Sequence, residues 1–206
     1  MASSARRSLL LNKEAAAWRL AAEERTPTEA VARFHKAMPG YAPTPLVSLK
    51  DVASEVGVRD VRIKLESQRL GLPSFKILGA SWATFRALAQ ELGLSLDTDL
   101  DALKVALGKA ATPVTIFAAT DGNHGRAVAR MGTMLGVTVR VYVPAGLSPS
   151  TIQLIREEGA TVDEIDDLYD YCVQLAFRNA GSTPGGILVQ DTAFPGYEEI
   201  PTVYYP

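Results

Sequence analysis

The chain has 206 residues, 47% of them hydrophobic and 21% charged, with a formal net charge of −2. This is a globular composition for one large domain or two small ones, and no Lys/Arg block marks a nucleic-acid partner. One cysteine excludes an internal disulfide and a multi-cysteine metal centre, two histidines argue against a histidine-built metal site, and no apolar run is long enough to span a bilayer.

The opening residues, MASSARRSLLLN, carry two arginines and three leucines before Lys13 and Glu14. That apolar part is too short for a secretory leader. It reads as a plain cytoplasmic tail, with a transit peptide as the alternative, and residues 1–28 are expected to be loosely held. Thr28 and Glu29 open a short helix that ends before Pro39-Gly40. YAPTPLVSL is extended, because residues at and before proline avoid the α region. KDVASEVG is a short helix stopped by Gly57, and VRIKLES alternates as a strand should.

A helix of small and apolar residues starts at Lys76 and runs to about Glu91. Residues 93–112 hold a weaker helix, TDLDALKVALGKA, read as a surface insertion. The most regular stretch follows. VTIFAAT is a buried strand, HGRAVARMGTMLG a helix, VTVRVYVP a strand, and SPSTIQLIREEG a helix with Pro149 in its first turn and Gly159 at its end. ATVDEI is a strand, DDLYDYCVQLAFRNAG a helix with Cys172 on its buried face, and GGILVQD a strand. Strands alternating with helices of this length give an α/β fold of parallel βαβ units. Ligands collect at the carboxyl ends of such strands. TDGNHG and QDTAFPGY stand there, each placing an aspartate at a strand's end, Asp121 and Asp191.

Lys76 has two readings. It is a helix-start lysine whose head reaches water. Or it is a nucleophilic amine for an aldehyde cofactor, set among Phe75, Ile77 and Leu78, with Ser74 and the small residues Gly79, Ala80 and Ser81 suiting a helix start open to a phosphorylated ligand. Asp121 either bonds its own turn's N–H groups or faces a ligand. Asp191 either caps a strand end or faces the same ligand. His35 reads as structural, and Gly57, Gly71 and Gly93 as turn glycines.

PSFKILGA resembles the S-F-K-x-x-G-A signature of pyridoxal-phosphate enzymes of fold type II, the tryptophan-synthase-β type, and ATDGNHGRAVA resembles that family's S-x-G-N-H loop. FHKAMPGYAPTPL, RLGLPSFKILGASWATFRAL, TDGNHGR and VQDTAFPGYEEIP together are most similar to the diaminopropionate ammonia-lyase branch, over residues 29–201. The resemblance implies pyridoxal 5'-phosphate as cofactor and a three-layer sheet fold. It divides the chain into the tail at 1–28, an N-terminal part of the large domain at 29–76, a small α/β domain at 77–165, and the start of the large C-terminal region at 166–206.

By the same resemblance, Lys76 would hold the cofactor covalently and then serve as general base at the substrate's α-carbon. Asn123 would bond the cofactor's ring hydroxyl. Thr120, Gly122 and His124 would shape a loop receiving the substrate carboxylate. Asp121 and Asp191 would face a second amine of the substrate, because a carboxylate there favours a cation. The implied reaction is α,β-elimination on 2,3-diaminopropionate, giving pyruvate and ammonia.

The resemblance also brings a glycine-rich phosphate loop and a residue facing the pyridine nitrogen that this sequence does not show; GSTPGG leads into a strand, not a helix. GGILVQD is expected to begin the large domain's sheet. A non-catalytic remnant and a serine/threonine dehydratase-type lyase are the alternative readings. The resemblance implies a homodimer acting on a small amino acid in the cytoplasm, and an open sheet edge would invite self-association or a missing half.

Overall fold

The computed structural model describes residues 28–204. The tail expected at 1–28 lies, up to residue 27, outside them. The elements in chain order are α1 (Thr28–Ala37), β1 (Leu46–Ser48), α2 (Lys50–Val56), β2 (Arg62–Lys64), α3 (Lys76–Glu91), α4 (Leu100–Gly108), β3 (Thr115–Ala119), α5 (Asn123–Leu135), β4 (Thr138–Pro144), α6 (Pro149–Glu157), β5 (Thr161–Ile165), α7 (Tyr169–Ser182), β6 (Gly186–Leu188) and α8 (Glu199–Tyr204).

Four strands form one parallel sheet in the order β5-β4-β3-β6. Side chains alternate across a strand, so each strand feeds two cores. Ile116, Ala118, Val139, Val141 and Val143 face α3, α5 and α6. Phe117, Ala119, Tyr142 and Leu188 face α7, where Cys172, Val173, Ala176 and Ala180 meet them. The result is a three-layer α/β arrangement. Each fully buried large side chain, Phe85 and Ile116 among them, contributes about 1.5–3 kcal/mol.

α3 is buried nearly all round, from Ile77 through Ala89. Its start is fixed from outside the helix. Ser74 Oγ accepts the Lys76 N–H at 3.0 Å. His35 of α1 donates from Nε2 to the Leu78 carbonyl at 2.9 Å. Burial pushes that imidazole below its ordinary value, outweighing the carbonyl contact, so it serves as a neutral donor. Phe34 of α1 packs on Trp82 and Phe85 at ring distances of 5.3 and 4.9 Å.

The approach to Lys76 is also pinned. Leu70 takes a positive φ of 50°, and its carbonyl accepts from Arg130 Nη1 of α5 at 3.2 Å. Arg130 and Arg126 both grip Glu158 at the end of α6. Burial alone would raise the Glu158 carboxyl, but the two guanidiniums bring it below the usual range. Arg69, itself buried, binds Glu66 in a two-pronged pair and Thr44 Oγ1 at 2.6 Å.

Two expectations are corrected here. GGILVQD does not begin a separate sheet: β6 pairs in parallel with β3, Ile116 opposite Ile187. α4 is not a mere surface insertion, since Leu103 is fully buried and Leu100 and Leu107 pack on the main core. VRIKLES is a strand as expected, though a short one. Only Arg62–Lys64 forms β2, and it pairs antiparallel with β1 alone, leaving Leu46 and Ile63 exposed. The ribbon has no second layer among the described residues, so the alternation has nothing to pack against. No helix among the described residues is long and apolar enough to cross a membrane.

α5 lies close on β4 because of Gly132. A methyl there would sit 2.1 Å from Val139 Cγ2 and 3.1 Å from the Val137 carbonyl oxygen. Gly132→Ala is expected to destabilise the chain by about 1–3 kcal/mol, the usual range for overpacking. Gly108→Ala, at an open position in α4, should be neutral or stabilise by about 0.4–1 kcal/mol. Chemical denaturation of both variants checks the pair; equal midpoints would contradict the close-packing account.

Candidate active site

Lys76, Thr120, Asp121, Gly122, Asn123, His124 and Asp191 all line one cavity of about 380 Å³, joined by Thr151 and Tyr169. It opens at the carboxyl ends of β3 and β6. Lys76 comes from the first residue of α3, Asn123 and His124 from the first turn of α5, Thr151 from the first turn of α6, and Tyr169 from the first residue of α7. A parallel sheet puts strand ends and helix starts at the same edge, which is why these segments converge.

Thr120 builds the loop. Its N–H continues the sheet to the Tyr142 carbonyl at 3.0 Å. Its Oγ1 then accepts from the N–H groups of Gly122 at 2.9 Å and Gly125 at 3.0 Å. Those two N–H groups are therefore committed inside the loop and not presented to a ligand. Gly122 stands at φ +152°, ψ −89°, and a methyl there would press on Thr151 Cγ2 at 3.3 Å. Only glycine takes that backbone without strain.

Asp121 does not cap this turn, because Thr120 does. Its exposed carboxylate makes no hydrogen bond among the described residues and stands on the cavity's rim. Asn123 is exposed beside it.

Asp191 sits opposite. Its Oδ2 accepts from Lys76 Nζ at 2.6 Å, with the lysine side chain 25% exposed and the aspartate 10%. His124 is buried behind them. Its Nε2 donates to the Val189 carbonyl at 2.9 Å, and its Nδ1 lies 3.9 Å from Asp191 Oδ2. Burial pushes His124 below its ordinary value; the Asp191 charge and the Val189 carbonyl only partly oppose this. Burial would raise the Asp191 carboxyl, but His124 and Lys76 outweigh it and hold it low. Because His124 is itself driven toward the neutral form, the Lys76 ammonium is the cation that does this at neutral pH.

A buried polar chain ties Asp191 to the sheet. Gln190, fully buried, accepts the Ala119 N–H on Oε1 at 2.9 Å and donates from Nε2 to the Tyr169 hydroxyl at 2.8 Å. The Gln190 N–H goes to Tyr197 Oη at 2.9 Å, and Tyr197 donates to the Leu188 carbonyl. Burial first, then the Asp191 charge, pushes the Tyr169 phenol up to about 12, so it stays a neutral donor. Sequence reasoning missed Tyr169, Thr151 and Gln190. Tyr169 and Thr151 carry the available signal: each lies in the first turn of a helix that follows a sheet strand.

A family model described as "Pyridoxal-phosphate dependent enzyme" matches residues 37–200. The diaminopropionate ammonia-lyase of Salmonella typhimurium (strain LT2) is 43% identical over 174 residues, covering 84% of this chain and 43% of that protein. The crystal structure of diaminopropionate ammonia lyase from Escherichia coli in complex with D-serine is similar at a TM-score of 0.79 and 37% identity, over 85% of this chain and 44% of that one. A shorter match, 32% over 81 residues and 39% of this chain, is to the L-serine dehydratase/L-threonine deaminase of Rattus norvegicus, of which it covers 22%. The chain thus spans less than half the length of these curated relatives.

The Thr120 hydroxyl is the loop's internal acceptor, and removing it strands two buried N–H groups. Thr120→Val should destabilise the chain by about 1–3 kcal/mol, while Thr120→Ser, which keeps the oxygen, should cost clearly less. Equilibrium unfolding of the two variants checks this; a Thr120→Val midpoint equal to the parent's would contradict it.

Proposed function

We infer, for a chain that belongs to the pyridoxal-phosphate dependent enzyme family, that it carries the lysine-bearing half of a site for α,β-elimination of ammonia from 2,3-diaminopropionate, giving pyruvate and ammonia. The observation that carries this reading is one amine, Lys76, set in a cavity with two carboxylates, Asp121 and Asp191.

The residues fit the reactive end of the cofactor. The Lys76 amine can take the aldehyde, and Asn123 stands on the same wall to bond the ring hydroxyl. A volume of about 380 Å³ lies in the range of small-ligand sites, roughly 300–1,000 Å³. For the phosphate, the described lining offers the hydroxyls of Thr120 and Thr151 but no arginine and no lysine besides Lys76. When bound, pyridoxal phosphate supplies the aldehyde and a ring that draws electron density from the substrate's α-carbon.

The chain's own residues then divide the work. Lys76 would take the substrate's α-proton as general base. Asp121 binds the β-ammonium of the substrate, which leaves as ammonia with the protons it already carries. Asp191 holds the Lys76 amine in place, and His124 and Gln190 hold Asp191. Thr120 and Gly122 keep the loop open toward the substrate carboxylate. A serine or threonine dehydratase would leave the Asp121 charge without a cationic partner, so the diamino substrate is favoured. The reading includes a cytoplasmic homodimer; the exposed β1–β2 ribbon, with Leu46 and Ile63 uncovered, supports the association.

The test is a visible absorption spectrum of the purified chain with pyridoxal phosphate, beside Lys76→Ala. A new visible band with the parent chain alone is expected. Identical spectra for the two would contradict the reading.

A further inference from the structure

We propose that Asp191 restrains the Lys76 amine in the free chain, keeping it an ammonium that cannot attack an aldehyde until the carboxylate lets go. The inference rests on the reading above in taking Lys76 as the aldehyde-binding amine. It adds a control on when that amine reacts.

The contact is built, not incidental. Lys76 Nζ and Asp191 Oδ2 are 2.6 Å apart with both side chains mostly withdrawn from water. Charge-assisted bonds of this length are about twice as strong as neutral ones, and withdrawal from water strengthens them further. The carboxylate is the fixed partner. Its Oδ1 lies 3.4 Å from Gln190 Nε2, and Gln190 is locked to the end of β3 through Ala119. The lysine is held on its other side by the Phe75 ring, 5.9 Å from Nζ to the ring centre.

Among the described residues that line the cavity, each charged or titratable group facing the amine acts in one direction or not at all. Asp191 approaches from beyond β6 and Asp121 from the loop after β3; both favour the ammonium. His124 of α5 is driven neutral by burial, and the Tyr169 phenol of α7 stays neutral up to about 12. No cation among the cavity's described lining opposes them at neutral pH.

Aldehyde capture needs the opposite state. The ammonium must lose a proton. Its nitrogen then bonds to the aldehyde carbon, the carbonyl oxygen leaves as water, and a carbon–nitrogen double bond remains. Asp191 is held low as a carboxylate and is a poor acceptor for the released proton, which goes to solvent. Asp191 is therefore a positioning residue that slows capture, not the base that promotes it.

The experiment uses the whole chain with pyridoxal, which lacks the phosphate, followed by borohydride to reduce the double bond. Peptide mass spectrometry then compares Lys76 with the exposed Lys50, Lys104 and Lys109 in the same sample. In Asp191→Asn, labelling of Lys76 at pH 7 is expected to rise about tenfold or more, with its pH profile displaced to lower pH and the exposed lysines unchanged. An unchanged or slower Lys76, with an unmoved profile, overturns the proposal. The parent chain gives a second arm that needs no variant. The ratio of Lys76 to Lys104 labelling should climb with pH; a constant ratio means simple burial and overturns the proposal. Repeating the parent reaction with pyridoxal phosphate separates the two claims. No preference for Lys76 over surface lysines would sink the cofactor reading and leave the restraint standing.

Discussion

A 2.6 Å contact joins the first residue of α3 to an aspartate 115 residues further along the chain, and the rest of the molecule is arranged so that Lys76 and Asp191 can meet. Bringing an ammonium and a carboxylate out of water costs several kcal/mol per ion, and pairing offsets this only with good geometry and further hydrogen bonds. Both are supplied. Parallel pairing of β6 with β3 delivers Asp191 to the same edge as the TDGNHG loop. His35, Ser74 and the Arg130–Leu70 bond fix where α3 begins. The buried Gln190 carries the sheet's hydrogen bonding past the last residues of β3 and holds the far side of the carboxylate.

That arrangement gives different surroundings to two aspartates that look alike in sequence. Asp191 is occupied by the lysine. Asp121 is spared from capping its own turn because Thr120 already accepts both loop N–H groups. The cavity therefore presents one satisfied ion pair and one further negative charge at its mouth. A site with that surplus attracts a ligand that brings a second positive charge.

Much of this was legible in the sequence, and the parts that were not have physical reasons. The alternation of buried strands and amphipathic helices from 114 to 191 is local, so each element and its cap could be read directly; Gly57 and Ser148 close and open helices as their types predict. Asp121 and Asp191 could be gathered because both stand at strand ends of one sheet; Lys76 and Asn123 joined them only through the family resemblance. Tyr169 and Thr151 could not be gathered, because their membership depends on which crossover helix lands beside which strand. The Lys76–Asp191 pair joins two motifs that pattern reading treats separately. α4 misled because only Leu103 in it is fully buried, while Leu100 and Leu107 pack on the core only in part.

The central claim is that the unpaired charge of Asp121 selects a diamino substrate at a cavity whose other carboxylate is already paired. The most direct measurement is calorimetric binding of 2,3-diaminopropionate and of serine to the parent chain and to Asp121→Asn. Preferential binding of the diamino acid by the parent, lost in Asp121→Asn while serine binding is unchanged, is the predicted result. Equal affinities in the parent, or equal loss of both ligands in the variant, would contradict it.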